Sequence, residues 1–589
     1  MQSIFRRFAL ATVTPLLFAA SVYSGEPSTP AKDDVLLSTM QQELGRAQAS
    51  LAKLDPAPYF LSYSVHDLSQ WTALGMQGSL VSSSHVHRRS ASVIMRIGSP
   101  DLDNSHGAGR RSAITSGLLP LNDDRDAIAH ELWRLTYEQY RKSAKAYLNV
   151  KTDTRVNVQE EDNSPDFSKE EAQSHTDYTD LSRDPDQKAM EDLARRYSSE
   201  FRSYPYIYFS AVSISAQKTR LHLVTSDGSH VVVPSATVRI LIQAATRASD
   251  GMELVRFETF QAEGMDHLPP ESEIVARAQK MASDLNALRN APLAEPFDGP
   301  ALLSGRAAAV FFHEVLGHRL EGHRQRGEQE GQTFTKKVSQ QILPEFLSVT
   351  DDPTLRTLSG TDLTGWYEYD DEGMPARPVE VIKDGVLKNF LMSRMPIRNF
   401  ANSNGHGRAQ VGYMPTGRQG NLIVTSSRTA KDNDLRKKLI DEIKRQHKPY
   451  GLFFEDIQGG FTLTQRSLPQ AFEVLPIMVW RVYPDGRPDE LVRGVDIVGT
   501  PLAALSRILI TGQKTEVFNG FCGAESAFVP VAAAAPAMLF SDIEVQKRGH
   551  SLTRPPTLPK PEGPAPKAPT PSPSPESPSQ PPEKGEDPS

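Results

Sequence analysis

The sequence predicts an α+β protein with an N-terminal domain of mixed helices and strands and a C-terminal, largely antiparallel β domain. Helical and strand-like patterns follow one another up to about residue 295, whereas strands dominate from Ile342 onward. Between them, the apolar and Ala-rich run 302–311 predicts a buried helix that carries a His-Glu motif into the core. We therefore expect an N-terminal domain at 25–295 and a C-terminal domain at 296–550.

The composition is that of a globular protein with room for two or more domains. The chain has 589 residues, of which 38% are apolar and 23% charged. Its formal net charge of −7 argues against a nucleic-acid partner. No apolar run is long enough to predict a membrane span in the mature chain.

The amino terminus has the pattern of a signal peptide. Arg6 and Arg7 precede an apolar stretch at 8–20, and small residues lead to a cleavage site after Ser24. We predict a signal peptide at 1–24 and a periplasmic or secreted protein. An uncleaved membrane anchor is the alternative, although the apolar stretch is short.

The N-terminal domain is expected to alternate helices and strands. Three antiparallel strands are predicted within 59–97, and an acidic segment at 151–187 is predicted to be an exposed or disordered insertion. A further strand-rich region, 206–263, contains an Asp-Gly hairpin turn. The predicted helices lie at about 37–54, 124–147, 190–201 and 274–288.

The C-terminal domain is expected to consist mainly of hairpins. A Lys-Asp-Gly turn at 383–385 joins two strands, and an amphipathic helix is predicted at 430–447. A Gly-rich stretch at 402–420 predicts a loop. The Pro-rich segment 551–589 is low in complexity and is predicted to be a disordered tail.

The motif at the centre of the sequence is H-E-x-x-x-H, formed by His313, Glu314 and His318. Imidazoles are good zinc ligands, and a carboxylate that is not a ligand can act as a general base. On a regular α-helix, however, positions i and i+5 diverge by about 140° and lie about 7.5 Å apart along the axis. We therefore predict a non-α turn across His313–His318, such as a π-type turn or a kink near Gly317. The alternative is a buried helix with two incidental histidines.

The chain has a single cysteine, Cys522, which cannot form an internal disulfide. Its flanking Gly520 and Gly523 predict a loop or tight turn. Metal ligation would explain an unpaired thiol in an exported protein, whereas an inert buried cysteine is the alternative. His323 is another candidate for a third ligand or for an oxyanion-stabilising residue, although the favoured interpretation is an ordinary polar residue.

Several motifs together resemble the TldD/PmbA family of metalloproteases, and the resemblance extends from about Ile207 to about Val545. It implies a metal held by His313, His318 and Cys522, with Glu314 as the catalytic base. It also implies that the loop 402–420 borders the substrate cleft, and we take Arg418 and Asn421 as candidate substrate contacts. The better-known members of the family look cytosolic, so a signal peptide would be a departure. The motifs are His313–Gly322, Asp370–Pro375, Asp384–Lys388, Arg493–Gly499, and Cys522-Gly523 followed by Val529-Pro530-Val531.

These observations predict a zinc-dependent peptidase with one Zn²⁺ per chain, acting on extended or unfolded peptides. The resemblance implies a homodimer, or a heterodimer with a paralogue that lacks the motif. The alternative is a non-catalytic peptide-binding or partner subunit of a TldD/PmbA-type complex. Retention of Glu314 favours the enzyme, because a structural metal site needs no carboxylate beside its first ligand.

Overall fold

The structure is a computed structural model that describes residues 34–107, 113–156, 162–326, 331–465 and 471–549. The predicted signal peptide, 1–24, and the predicted tail, 551–589, lie outside these residues. Among the described helices, none is both long and apolar enough to cross a membrane.

The N-terminal domain is an eight-stranded, mainly antiparallel sheet in the order β3-β2-β1-β6-β7-β5, with β4 paired to β2 and β8 paired to β7. Its apolar face packs against four helices. The strands are β1 Pro58–Met76, β2 Ser79–Ser99, β3 Leu102–Asp103, β4 Ile114–Leu119, β5 Ser174–Thr176, β6 Phe209–Thr225, β7 His230–Arg247 and β8 Glu253–Ala262. The helices are α1 Val35–Leu51, α2 Arg125–Val156, α3 Gln187–Ser199 and α4 Glu271–Asn290.

The first hairpin differs from the sequence prediction. Residues 59–97 form two long strands, β1 and β2, where the sequence predicted three short ones. The chain turns at Gln77 and Gly78, both with positive φ. The polar run 82–90 continues the β2 ladder, because every residue there pairs with β1.

The acidic segment 151–187 is folded in its described part, where the sequence predicted exposure or disorder. Residues 151–156 complete α2, and Ser174–Thr176 pairs in parallel with β7. Phe167 is buried, with its ring 4.7 Å from that of Phe60 and the Arg96 guanidinium 3.9 Å from its centroid. A single buried aromatic therefore anchors a segment whose composition predicts disorder.

The C-terminal domain contains an eleven-stranded sheet and two separate two-stranded sheets, β11–β12 and β15–β16. In the large sheet, β9, β18, β19, β21 and β23 pair successively, and β23 pairs again with β9. The ring of strands that results surrounds the largest hydrophobic core. The strands are β9 Phe297–Leu303, β10 Leu347–Asp351, β11 Thr357–Leu358, β12 Thr361–Asp362, β13 Val379–Lys383, β14 Val386–Leu387, β15 Gly407–Arg408, β16 Thr416–Gly417, β17 Asn421–Ser426, β18 Gly451–Thr462, β19 Phe472–Val482, β20 Glu490–Val492, β21 Val495–Gly499, β22 Ile508–Ala524 and β23 Ala527–Lys547.

Three α-helices complete the described part of this domain: α5 Gly305–Val315, α6 Asp432–Arg445 and α7 Pro501–Ser506. The predicted α+β class, with a β-rich C-terminal domain and a buried motif helix, is confirmed. The helix begins later than predicted, because Leu302 and Leu303 end strand β9 and Ser304 caps α5.

Candidate metal centre

Helix α5 carries the motif on a buried scaffold. The Ser304 hydroxyl accepts a hydrogen bond from the Ala307 N–H at 3.1 Å and donates one to the Glu455 carbonyl at 2.9 Å. This cap satisfies a backbone donor at the helix start, where a hydroxyl cap is typically worth about 1 kcal/mol. Further along the helix, Phe311 makes edge-on ring contacts with Phe472 and Phe540. The helix is thereby held on opposite sides by the cap and by an aromatic cluster.

The helix ends at Val315, and a 3₁₀ turn, Gly317–Leu320, follows at once. The predicted non-α turn is confirmed, although it is a helix end with a 3₁₀ turn and not a π-type turn. The change of direction brings the His313 and His318 rings to 5.1 Å between centroids, nearly perpendicular to each other. A Cβ at Gly317 would lie 2.0 Å from Oε1 of Gln419, so a larger residue there would have to displace the buried Gln419 side chain.

Cys522 lies on strand β22, and the prediction of a loop or tight turn was wrong by a few residues. The strand ends at Ala524, and Glu525 and Ser526 form the hairpin turn into β23. Gly523 pairs with Phe528 across the ladder, and the Phe528 ring fills the space that a side chain at Gly523 would need. The glycine beside Cys522 thus serves strand packing and does not mark a loop.

The two histidines and the cysteine converge from three elements. One ligand atom from each of His313, His318 and Cys522 lies within 4.8 Å of the others, and all three side chains are buried. The Cys522 Sγ is 3.3 Å from His318 Nε2. Tetrahedral zinc with usual bond lengths separates sulfur and nitrogen ligands by about 3.5 Å. The chemistry and spacing of these donors fit a zinc ion with three protein ligands.

Glu314 lies beside the three donors, at the edge of a cavity. Its Oε2 is 3.8 Å from His318 Nε2. Gly460 on β18 makes room for it, because a Cβ there would lie 2.9 Å from the Glu314 Cγ. The cavity has a volume of about 380 Å³ and is lined by His313, Glu314, His318, Arg324, 460–465 and 521–525.

Glu321 supports the cluster, and our sequence reasoning missed this role. Its fully buried carboxylate is 3.3 Å from His318 Nδ1, so a proton on Nδ1 leaves Nε2 free to bind a metal. Arg324 Nε donates to Glu321 Oε2 at 2.8 Å. The signal in the sequence was an acidic residue three positions after a ligand histidine, in the Leu-Glu-Gly that follows the motif.

The electrostatics favour a thiolate at Cys522. Burial opposes the charge, but His318 and His313 outweigh it and lower the pKa of the Cys522 thiol well below its usual value. Burial likewise opposes a charge on His318, yet Cys522 and Glu321 raise the pKa of that imidazole well above its usual range. The deprotonated sulfur that zinc requires is therefore already favoured by its surroundings.

His323 joins a different cluster and does not meet Cys522. Its Nε2 is 3.3 Å from Glu525 Oε2, and Glu321 lies close to both. Arg324 donates to Glu525 at 2.8 Å as well as to Glu321. In this arrangement the carboxylates already have cationic partners, so His323 belongs to an ion-pair network.

Arg418 and Asn421, the candidate substrate contacts, are buried and hydrogen-bonded within the domain. Arg418 donates to the Cys522 carbonyl at 2.7 Å and to the Ser526 hydroxyl at 2.8 Å, and it lies 3.3 Å from Glu321. The Asn421 amide donates to two backbone carbonyls of the 352–355 turn. Arg418 fixes the hairpin that presents Cys522, which is a structural role that a Gly-rich loop sequence does not reveal.

Residues 298–547 match the family described as the PmbA/TldA metallopeptidase C-terminal domain. The C-terminal domain of this chain is therefore similar to the metallopeptidase domain of the TldD/PmbA family. The family predicted from the motifs is confirmed.

Relatives and solved structures agree with this assignment. The metalloprotease TldD homolog of Haemophilus influenzae is 27% identical over 250 residues, which cover 42% of this chain and 48% of that protein. The zinc metalloprotease TldD homolog of Saccharolobus solfataricus is 24% identical over 283 residues, covering 46% of this chain and 56% of that protein. The chain thus spans about half the length of the curated relatives it matches.

The fold is similar to those of two solved structures. TldE from Thermococcus kodakarensis aligns with a TM-score of 0.57 and 14% identity, over 86% of this chain and 100% of that chain. A Thermotoga maritima protein described as a modulator of a DNA gyrase aligns with a TM-score of 0.58 and 14% identity, over 86% of this chain and 99% of that chain. This likeness extends the shared fold to the N-terminal domain.

Proposed function

We propose that this protein is a zinc-dependent peptidase with one zinc ion per chain. One observation carries the proposal: His313, His318 and Cys522 converge within 4.8 Å, and Glu314 stands beside them at the cavity. Three protein ligands with an open position are typical of catalytic zinc, whereas structural zinc usually has four. The printed names of the metalloprotease relatives support the same function.

In this proposal, each side chain has a distinct task. Zinc, when bound, supplies a Lewis acid that polarises a carbonyl and makes water more acidic. Glu314 accepts the proton of the attacking water on a carboxylate oxygen and passes it to the leaving amine nitrogen. Glu321 holds the His318 ring by its Nδ1 side, so that Nε2 faces the cavity.

Extended or unfolded peptides are the proposed substrates, bound as an added strand beside β22. Phe521 pairs with Pro530, which has no N–H, so this is not a hydrogen-bonded pair of the ladder. By alternation, the backbone groups of Phe521 and Gly523 point away from β23, and both residues line the cavity. A peptide strand could hydrogen-bond to them and place its own carbonyl beside the metal ligands.

We also propose that the protein is exported and acts as a homodimer or as a heterodimer with a motif-lacking paralogue. The signal-peptide pattern at 1–24 supports export, and the fold shared with TldE is compatible with a paired assembly. Amino-terminal sequencing of the protein from a periplasmic or culture fraction, and its mass by light scattering, would test the two statements.

The decisive experiment compares zinc content and peptide cleavage in the full-length parent, Cys522→Ala and Glu314→Gln. We expect about one zinc per chain in the parent and in Glu314→Gln, and little zinc in Cys522→Ala. Glu314→Gln should lose at least about a hundredfold in cleavage rate, which is the usual contribution of a general base.

Two other outcomes would change the proposal. If Cys522→Ala retains zinc, the third ligand is wrong. If the zinc-loaded parent binds peptides without cleaving them, the protein is a peptide-binding subunit and not a peptidase.

A further inference from the structure

An arginine of the N-terminal sheet lies next to the cavity that the proposed metal ligands line. Arg239 lies on β7, and its guanidinium is 5.1 Å from the ring centroid of Phe521, which lines the cavity next to Cys522. The neighbouring Val238 and Ile240 point to the helix-covered face, so Arg239 is on the opposite face of the sheet. That face therefore forms a second wall beside the cavity.

The Arg239 guanidinium has no anionic partner within the described chain. Its Nε is buried without a hydrogen-bond partner. Burial lowers the pKa of Arg239, and no neighbouring acid opposes that effect. An unpaired, partly desolvated guanidinium is costly in a folded protein, so its position calls for an explanation other than stability.

A second unsatisfied side chain lies beside it. Gln261 on β8 is the cross-strand partner of Arg239, so both side chains project from the same face. The Oε1 and Nε2 atoms of Gln261 are both buried without hydrogen-bond partners. The two neighbours together offer a guanidinium and an amide that nothing in the described chain satisfies.

We propose that Arg239 and Gln261 bind a carboxylate of the substrate peptide and thereby set the specificity of the cleft. Guanidinium binds carboxylate through two parallel hydrogen bonds, and the amide N–H can add a third. The inference rests on the proposed peptidase function and adds a substrate class to it: peptides with a carboxylate near the scissile bond.

The distance from the metal cluster limits the position of that carboxylate. Phe521 and Cys522 are adjacent in the chain, so the Arg239 guanidinium is at most about 15 Å from the Cys522 Cα by standard bond lengths. An extended peptide advances about 3.3 Å per residue. The carboxylate should therefore lie within about four residues of the scissile bond, either as an Asp or Glu side chain or as the C-terminal carboxylate.

The test uses zinc-loaded full-length protein and short peptide pools in matched pairs. One pair differs only by Asp or Asn at a fixed position, and the other only by a free or amidated C-terminus. We expect the parent to prefer one carboxylate-bearing pool by about ten- to a hundredfold in kcat/KM, as hydrogen bonds between charged groups usually confer. The pair that shows the preference identifies the source of the carboxylate.

Arg239→Gln should bring that ratio to about one, and Arg239→Lys should retain part of it. The matched control is Arg247→Gln at the C-terminal end of β7, where the guanidinium is also stacked on an aromatic ring, 5.3 Å from the centroid of Tyr208. This control should keep the preference of the parent. Zinc content verifies that each variant is folded around its metal.

Binding of the same pools to Glu314→Gln, with and without Arg239→Gln, separates this inference from the proposed activity. Cleavage without a preference in the parent, or a preference that survives Arg239→Gln, would overturn the role of Arg239 and leave the peptidase standing. If the protein binds carboxylate-bearing peptides preferentially through Arg239 but the parent does not cleave them, the role of Arg239 is supported and the peptidase activity is overturned. If the pools are neither bound nor cleaved, both proposals fall.

Discussion

Two clusters of metal-ligand residue types lie near each other in the C-terminal domain, and they differ in the charges that surround them. The first consists of His313, His318 and Cys522, and the second of Glu321, His323 and Glu525. In the second cluster, Arg324 donates to both carboxylates, and Arg418 is a further cation beside Glu321. The ligand atoms of both clusters lie within 4.8 Å of one another, and Glu525 lines the same cavity as the first cluster, so the arginines beside the carboxylates are what distinguishes the second cluster.

The difference shows that ligand-type residues and short distances do not suffice to define a metal site. A carboxylate with an arginine partner is already neutralised, and a cation would have to displace that partner. In the first cluster the imidazoles hold the protons beside the Cys522 thiolate, and zinc binding would release these protons without displacing an arginine. The neighbouring charges thus distinguish the proposed metal site from an ion-pair network.

The largest expected effect comes from replacing one histidine of each cluster and comparing the two variants. His318→Ala should lose zinc far more severely than the 10–100-fold that the loss of a supporting partner costs. His323→Ala, the matched control, should keep zinc with nearly the affinity of the parent. Equilibrium competition with a zinc chelator measures both, and loss of zinc from His323→Ala alone would reverse our assignment of the clusters.

Arg418→Met should destabilise the fold by about 3–5 kcal/mol, because it leaves the buried Glu321 carboxylate short of a cation and frees the Cys522 hairpin. Urea unfolding of the zinc-free protein isolates this effect from metal binding. Arg428→Met is the control, since that guanidinium is stacked on Phe346 outside both clusters. Equal stability of Arg418→Met and the parent would show that the two clusters are not linked through Arg418.

Glu321→Gln should weaken zinc binding by about 10–100-fold, which corresponds to about 1.4–2.7 kcal/mol. The substitution keeps an oxygen that can accept from His318 Nδ1 but removes the charge that both arginines neutralise. Chelator competition again provides the measurement. An unchanged zinc affinity would mean that the two clusters are neighbours without functional contact.

The smallest effect concerns a hydrogen-bonded carboxylate remote from both clusters. Asp34 caps α1 and lies 3.0 Å from His222; although burial opposes its charge, these hydrogen bonds lower the pKa of Asp34 below its usual range. Asp34→Ala should cost about 1–2 kcal/mol at neutral pH.

The pH dependence of that cost follows from the depressed pKa. The contribution of Asp34 to the free energy of unfolding is fully present above the pKa of about 3.9 in the unfolded state. It is lost as the pH falls towards the lower pKa of the folded state. Unfolding of parent and variant from pH 7 to pH 3 should therefore show a difference that narrows below about pH 4. If the difference in the free energy of unfolding between parent and variant stays constant with pH, the charge of Asp34 contributes nothing beyond the helix cap.

Much of the metal cluster could be predicted from local sequence. The H-E-x-x-x-H spacing cannot place two ligands on one regular α-helix, which predicted the break in helical geometry found after Val315. The single cysteine was a candidate because an unpaired thiol needs an explanation. The family resemblance joined it to the histidines, from which it is separated by more than two hundred positions.

The errors share one cause, which is that burial and pairing are set by residues distant in sequence. Leu302 and Leu303 fit a strand or a helix equally well until β18 and β23 pair with them. Arg418 looked like an exposed loop cation, but its acceptors lie on the hairpin around Ser526. Phe167 was a single apolar signal within an acidic segment, and its partner Phe60 is far away in the chain.

The single thiol makes the protein its own reporter of metal occupancy. Because Cys522 is the only cysteine in the sequence, every alkylated chain is a chain in which that sulfur was accessible and uncoordinated. A mass shift by one alkyl group after brief exposure to iodoacetamide would thus count zinc-free molecules directly, without a background from other thiols. The same measurement in whole cells would show how much of the protein carries its metal where it works.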